Sequence, residues 1–292
     1  MSLYTLDASD IPRGLVLVHH LSGFVDAGNA GRLATAAILE VAGPGAQVGR
    51  FDADALLDYR GRRPAMQFNV DHWEGYDDPE LVLDLLNDRS GTAFLFLHGL
   101  EPDFRWEGFT TAVREIVSEL DVRLVVGMNA IPMGVPHTRP SGVILHGTRS
   151  ELVRGSRSWV GQVQVPGHAA ALLEYRLGQS GHDAVTFTVT VPHYIAQSDY
   201  PEAAAVLVEN VAAAATLRLD TDELRAGAVR TRTEIDTEVA KSGEVAAVVT
   251  QLERQYDAVI ADPERLNDLP TGDELGAELE RFLAEQERPG QI

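Results

Sequence analysis

The chain has 292 residues, a net charge of −20, 45% hydrophobic and 23% charged residues, and no cysteine. That length is ample for a sizeable core, in one large domain or a domain with an appendage, and the composition is that of a soluble globular protein. The charge opposes binding to nucleic acid or an anionic membrane, no apolar run approaches the ~20 residues that span a bilayer, and the missing thiols exclude disulfides, cysteine nucleophiles and cysteine-ligated zinc.

A local basic patch is still allowed, and Arg60-Gly61-Arg62-Arg63 is the candidate. Lys241 is the only lysine and lies in a polar helical region, which argues against Schiff-base chemistry. Residues 1–10 are polar and acidic with no basic region before an apolar one, so no signal peptide is expected and a cytoplasmic location is.

The chain opens with an apolar run at 14–18, read as a buried strand ending at His19-His20. A glycine-rich turn holding Gly23, Asp26 and Gly28 follows, then a helix over 32–41. Strand, glycine turn and helix superficially suggest a phosphate loop. The spacing fits neither G-x-G-x-x-G nor G-x-x-x-x-G-K-[ST], and Asp26 would repel a phosphate. Asp26 either caps the helix or faces a ligand's hydroxyls or amines.

A strand at 47–51, a short helix at 52–59 and a mixed-polarity strand at 65–70 come next, then an aromatic, acidic loop at 71–78 over an edge or an interface. A strongly apolar strand at 92–97 is closed by His98, a helix runs from about 106 to 120, and 122–126 is the next strand. This alternation predicts an α/β domain with a largely parallel sheet.

The stretch 127–140 is too rich in glycine and proline for helix and reads as a loop on the end of that strand. Within it, Pro136-His137-Thr138-Arg139-Pro140 brackets an imidazole and a guanidinium between prolines. Either it is a rigid connection with solvent-facing polar groups, or it carries chemistry, as loops at strand ends in α/β proteins often do. His19, His98, Asn129 and His137 all follow apolar strands. If the strands are parallel, these residues either gather in one crevice or stand as isolated loop residues.

Further strands are expected at 142–145, 159–165 and 184–191, with a helix at 168–177 between the last two. The last strand stops at Pro192-His193-Tyr194, and Ser198-Asp199-Tyr200-Pro201-Glu202 starts an alanine-rich helix running to about 217. From 220 onward there are no strands: two helices broken at Ser242-Gly243 form an α-hairpin packed on the core or on another subunit. Thr271-Gly272-Asp273-Glu274 is a capping box for a last short helix. The expected division is an α/β core at 1–218, the hairpin at 219–262 and an acidic, mobile tail at 263–292.

Three segments together carry a family resemblance. They are Gly23-x-x-Asp26-Ala27-Gly28, Pro136-His137-Thr138-Arg139-Pro140, and Val191-Pro192-His193-Tyr194 ahead of a Ser-x-x-Pro helix start. In order and spacing the chain resembles the proteasome assembly chaperone 2 family over roughly residues 10–260, and its helical C-terminal extension resembles the actinobacterial branch. The resemblance implies a phosphorylase-like three-layer α/β/α sandwich. It also implies a non-enzymatic assembly or interaction protein, a homo-oligomer (trimer or dimer) with proteasome subunits as possible partners, and no cofactor. Some relatives dock through a hydrophobic–tyrosine–any residue tail; this chain ends Gly290-Gln291-Ile292 and departs from it.

Two other readings compete. A small-molecule-binding protein or a hydrolase or nucleosidase on the same scaffold would use Asp26 or His137 as general acid or base and Arg139 to hold an anion. Its pocket would draw on Gly23, Asp26, Gly28, His98, Asn129, His137, Arg139, His193 and Tyr194. A metal site built from His19, His98, His137 and His193 would need ligands converging from loops, so no metal is expected. A serine triad lacks its Gly-x-Ser-x-Gly.

Overall fold

The computed structural model describes residues 2–154 and 162–261. Ten strands are described: β1 (Tyr4–Leu6), β2 (Val16–Ser22), β3 (Ala46–Phe51), β4 (Met66–Asn69), β5 (His72–Tyr76), β6 (Leu81–Asn87), β7 (Ala93–Leu100), β8 (Leu124–Met133), β9 (Val143–Gly147) and β10 (Ala184–Pro192). The helices are α1 (Ala30–Ala42), α2 (Ala53–Leu56), α3 (Trp106–Glu119), α4 (Ala169–Gln179), α5 (Pro201–Ala215), α6 (Asp222–Val239) and α7 (Gly243–Ala261).

Eight strands form one sheet in the order β1-β3-β6-β7-β2-β8-β10-β9, and β4 and β5 form a separate two-stranded sheet. The period-2 alternation of each central strand fixes which residues face which layer. Val16, Val18, Phe94, Phe96 and Val126 point to one side, where α1 and the alanine-rich α5 cover them. Leu17, Leu95, Leu97 and Val125 point to the other, under α3 and α4. The result is the expected three-layer α/β/α sandwich. Ala203, Ala204 and Ala205 are fully buried, so α5 approaches α1 and the sheet closely because its side chains are small.

Several expectations need correction. The sheet is mixed: only β7, β2, β8 and β10 run parallel, and every other pairing is antiparallel. Beside β7 the cause is a strand the sequence reading passed over, Leu-Val-Leu-Asp-Leu-Leu-Asn at β6, which pairs antiparallel with β3 and turns tightly through Asp88–Thr92 into β7. The Gly/Pro stretch from 127 begins as strand, because β10 offers β8 a parallel partner out to Pro192↔Met133. Pairing between β2 and β8 ends at His19↔Gly127, so Pro132 lies where β8 has lost one neighbour and a missing N–H is tolerated. His19 and His98 therefore lie inside strands, and the loop proper starts at Gly134.

The 71–78 segment is mostly strand β5, and the helix expected at 52–59 shortens to α2 as Leu57 turns extended. Of the strand expected at 159–165, residues 159–161 lie outside the described residues and 162–165 form no strand. The capping box at 271–274 and the tail at 263–292 also lie outside them.

Candidate functional site

The sheet's alternation separates the two adjacent histidines of β2. His20 pairs across β7 with His98, and both turn toward the α1 layer. There His20 is 3% exposed and lies against Gly31 of α1, with Nδ1 3.4 Å from the Met128 carbonyl and Nε2 4.0 Å from Asp26. Burial lowers its pKa, against the opposing pull of the Asp26 carboxylate. His98 is held 2.9 Å from Asp84 of the neighbouring strand.

Asp26 accepts the backbone N–H groups of Gly31 at 2.7 Å and Arg32 at 2.9 Å, so its carboxylate caps the first turn of α1. Gly28 has φ +67°, and a Cβ there would lie 2.7 Å from Tyr200 Cβ, which accounts for glycine at that turn.

His19 faces the α3–α4 layer. It is 3% exposed, and its Nδ1 is buried without a hydrogen-bond partner. Burial lowers its pKa to about 4, so the ring is neutral. It borders a cavity of about 40 Å³ shared with Phe24, Glu101, Asn129, His168 and Thr186, enough for a few waters. Glu101 accepts the Ala169 N–H at 2.7 Å at the start of α4, and His168 stacks on Phe24 with centroids 5.3 Å apart. Burial also lowers the His168 pKa. Beside the cavity, Glu174 takes hydrogen bonds from His146 at 2.9 Å and Thr186 at 2.5 Å. Burial pushes Glu174 up, but these contacts outweigh it and hold its pKa below the ordinary value. Gly23 lies against Glu101, where a Cβ would come within 2.6 Å of the carboxylate.

The Pro136–Pro140 loop faces neither of these places. His137 is 1% exposed; its Nδ1 accepts from the Tyr194 hydroxyl at 2.6 Å and its Nε2 donates to Asp236 of α6 at 3.0 Å. The His137 backbone N–H also donates to the Tyr194 oxygen, at 2.8 Å. Thr138 donates to Glu253 at 2.5 Å, and Arg139 binds both oxygens of Asp257, 2.8 Å each, with a further contact to Glu253 at 3.3 Å. The Tyr256 hydroxyl reaches the Pro140 carbonyl at 3.0 Å. The loop is a clamp that seats the α6–α7 hairpin on the core.

The nine candidate residues thus fall into three groups. Asn129 lines the His19 cavity and Gly23 lies against Glu101, which also lines it; Asp26, Gly28 and His98 lie on the α1 side; His137, Arg139, Tyr194 and the adjacent His193 lie at the clamp. Asp236, Glu253 and Asp257, which complete the clamp together with Tyr256, escaped the sequence reading. The signal for two of them was the i,i+4 spacing of Glu253 and Asp257, which places both acids on one face of α7. Among the described residues no group of three or more histidine, aspartate or glutamate side chains is placed to hold a metal ion, and no helix is long and apolar enough to cross a membrane.

A mixed-sheet α/β/α sandwich with a helical hairpin latched to its strand ends defines the class of protein. A sequence model of the PAC2 family matches residues 20–239, and the chain belongs to that family, as its motifs led us to expect. Among solved structures it is similar to the Mycobacterium tuberculosis protein of unknown function Rv2714, with 48% identity over 90% of this chain and 92% of that one and a TM-score of 0.83. A protein of unknown function from Corynebacterium glutamicum is 32% identical over 88% of this chain and 98% of its own, also with a TM-score of 0.83. The Mycobacterium tuberculosis proteasome-assembly chaperone homologue Rv2125 shares the fold at a TM-score of 0.74, with 24% identity over 80% of this chain and 100% of that one. No curated protein matches the chain by sequence.

Proposed function

We propose that this chain is a non-enzymatic assembly or interaction protein of the proteasome-assembly-chaperone kind, working in the cytoplasm as a homo-oligomer that engages proteasome subunits. One observation carries the reading. The His137–Arg139 pair, which would supply acid–base chemistry and anion binding in an enzyme, is occupied by Asp236 and Asp257 in holding a helical hairpin. That hairpin turns Val229, Val245, Val248 and Ile260 outward, each at least 44% exposed, so it presents an apolar surface from a rigid mount. Membership of the PAC2 family and the shared fold of a proteasome-assembly chaperone homologue support the same reading.

The test is affinity purification of the tagged full chain from its own cells, with subunits identified by mass spectrometry. Proteasome subunits should be recovered with the wild type and depleted with Val245→Asp/Val248→Asp, which changes the outer face of α7 and leaves the clamp intact. Recovery of the chain free of proteasome subunits, at the same level as with an unrelated bait, would overturn the reading.

A further inference from the structure

The cavity beside His19 takes no part in the clamp, and it gathers polar groups that the fold leaves unsatisfied. Its volume of about 40 Å³ gives room for roughly three heavy atoms, since one water needs about 10–15 Å³. That size excludes a sugar ring or a nucleobase and admits the end of a slender chain.

His19 lines the cavity, is 3% exposed, and has a buried Nδ1 without a hydrogen-bond partner. The other ring nitrogen fixes what Nδ1 can do. A Cβ at Gly127 would lie 2.9 Å from His19 Nε2 and 2.6 Å from the Thr186 hydroxyl oxygen, so those two atoms are neighbours. The Thr186 hydroxyl gives its proton to Glu174 and can only accept a second one. The ring proton therefore belongs on Nε2, and Nδ1 is an acceptor. A buried acceptor left unpaired is costly, so the site favours a group that donates to it.

Charge selects the donor. Glu101 also lines the cavity; it is 5% exposed and has no ion-pair partner among the described residues. A buried carboxylate in that position calls for a cation. Glu174 stands beside it, and burial keeps His19 and His168 neutral. Among the described residues no lysine or arginine borders the cavity. Arg62 approaches from beyond Gly23, where Asp103 pairs with it at 2.9 Å. Even a charged His146 would offset only Glu174, its partner at 2.9 Å, and Glu101 keeps the balance negative. Ala170 and Ala171 bring the N-terminus of α4 to the same place, which by itself would attract an anion. Glu101 already fills that role on the Ala169 N–H at 2.7 Å. Leu21 and Met128 supply an apolar wall, and Phe24, 45% exposed, offers a ring to a cation.

We propose that the His19 cavity binds a primary ammonium group at the end of a slender alkyl chain, with Glu101 as its counter-charge and His19 Nδ1 as a hydrogen-bond acceptor. This goes beyond the assembly reading and does not depend on it.

The experiment is saturation-transfer NMR on the full chain with n-propylammonium chloride as the probe. Ionic strength is held fixed, because a chain of net charge −20 attracts any cation weakly. The wild type should bind n-propylammonium at least about tenfold more tightly than 1-propanol, and should not bind propionate. Glu101→Gln keeps an acceptor for the Ala169 N–H and removes the charge, so it should erase the preference for the amine. Asn129→Leu fills the cavity, changes neither carboxylate and should abolish binding; it carries the test alone if Glu101→Gln does not fold. No binding of the amine by the wild type, or equal binding of amine and alcohol, overturns the proposal. A preference for the amine that survives in a folded variant belongs to the acidic surface and overturns it as well.

Discussion

Arg139 binds Asp257 through two parallel hydrogen bonds, Nε to one carboxylate oxygen and a terminal nitrogen to the other, 2.8 Å each, across 118 residues of sequence. This fork ties the last described helix, α7, to a loop at the ends of the central strands. Lysine at 139 would keep the charge and lose the fork. We expect Arg139→Lys to speed amide hydrogen exchange within α7, and Arg139→Ala to speed it further, while exchange in β2 and β8 is unchanged. A uniform change across sheet and hairpin would show instead that the two open as one unit.

The Tyr194 oxygen serves His137 twice, receiving its backbone N–H and donating to its Nδ1. Tyr194→Phe removes both contacts while keeping the ring, and leaves two polar groups of a 1% exposed residue without partners. Losing such contacts costs about 1–3 kcal/mol. Urea unfolding of Tyr194→Phe should show a loss of this size. Asp236→Ala should cost less, because that side chain is 53% exposed and water can replace it. Equal losses would mean that the Asp236 contact holds the clamp as firmly as the buried hydroxyl.

The layers of this fold were readable from period and punctuation. Alternation in 184–191 and the apolar runs at 14–18 and 92–97 gave three central strands within a few residues. The antiparallel half of the sheet was not readable, because β6 has no polar alternation to mark it as a strand, although Asp77-Asp78-Pro79 before it and Asp88-Arg89-Ser90-Gly91 after it are turn signals. Proline at 132 and glycine at 127 imitated a loop, since their tolerance depends on which neighbouring strands stop where, a tertiary fact. The site suffered the same limit. Pro136–Pro140 was correctly singled out as constrained, but its purpose lay in carboxylates about a hundred residues later. Likewise His19 and His20 differ only in which face of a strand they occupy.

Close packing makes a sharp claim about Gly31. A Cβ at this position would lie 2.1 Å from His20 Cε1, and the ring is 3% exposed, so it has little room to withdraw. Gly31→Ala should therefore be destabilising by about 1–3 kcal/mol through overpacking, although alanine is the better helix former. In the background of His20→Ala the same change should become neutral or stabilising, read as the coupling in a double-mutant cycle. Additive losses in the two variants would mean that α1 shifts bodily and that the His20–Gly31 contact does not set its position.

His19 should govern part of the acid sensitivity of the protein. Its ordinary pKa of 6.5 is lowered to about 4 by burial in the fold. Between these two values the unfolded chain binds a proton that the folded protein does not, so stability falls as pH falls through this window. Above about 6.5 the contribution is complete, and below about 4 both states are protonated and nothing further is lost at this residue. The full effect is about 3 kcal/mol. Burial lowers the pKa values of His20, His168 and His193 as well, so they add to the slope in the same direction. His19→Gln keeps a polar side chain without a titrating ring. Its stability should decline less steeply than the wild type's between pH 6.5 and pH 4, measured as urea midpoints at matched ionic strength. Parallel profiles for the two proteins would mean that His19 reaches solvent and protonates within the fold, and that the acid response belongs to the other three histidines.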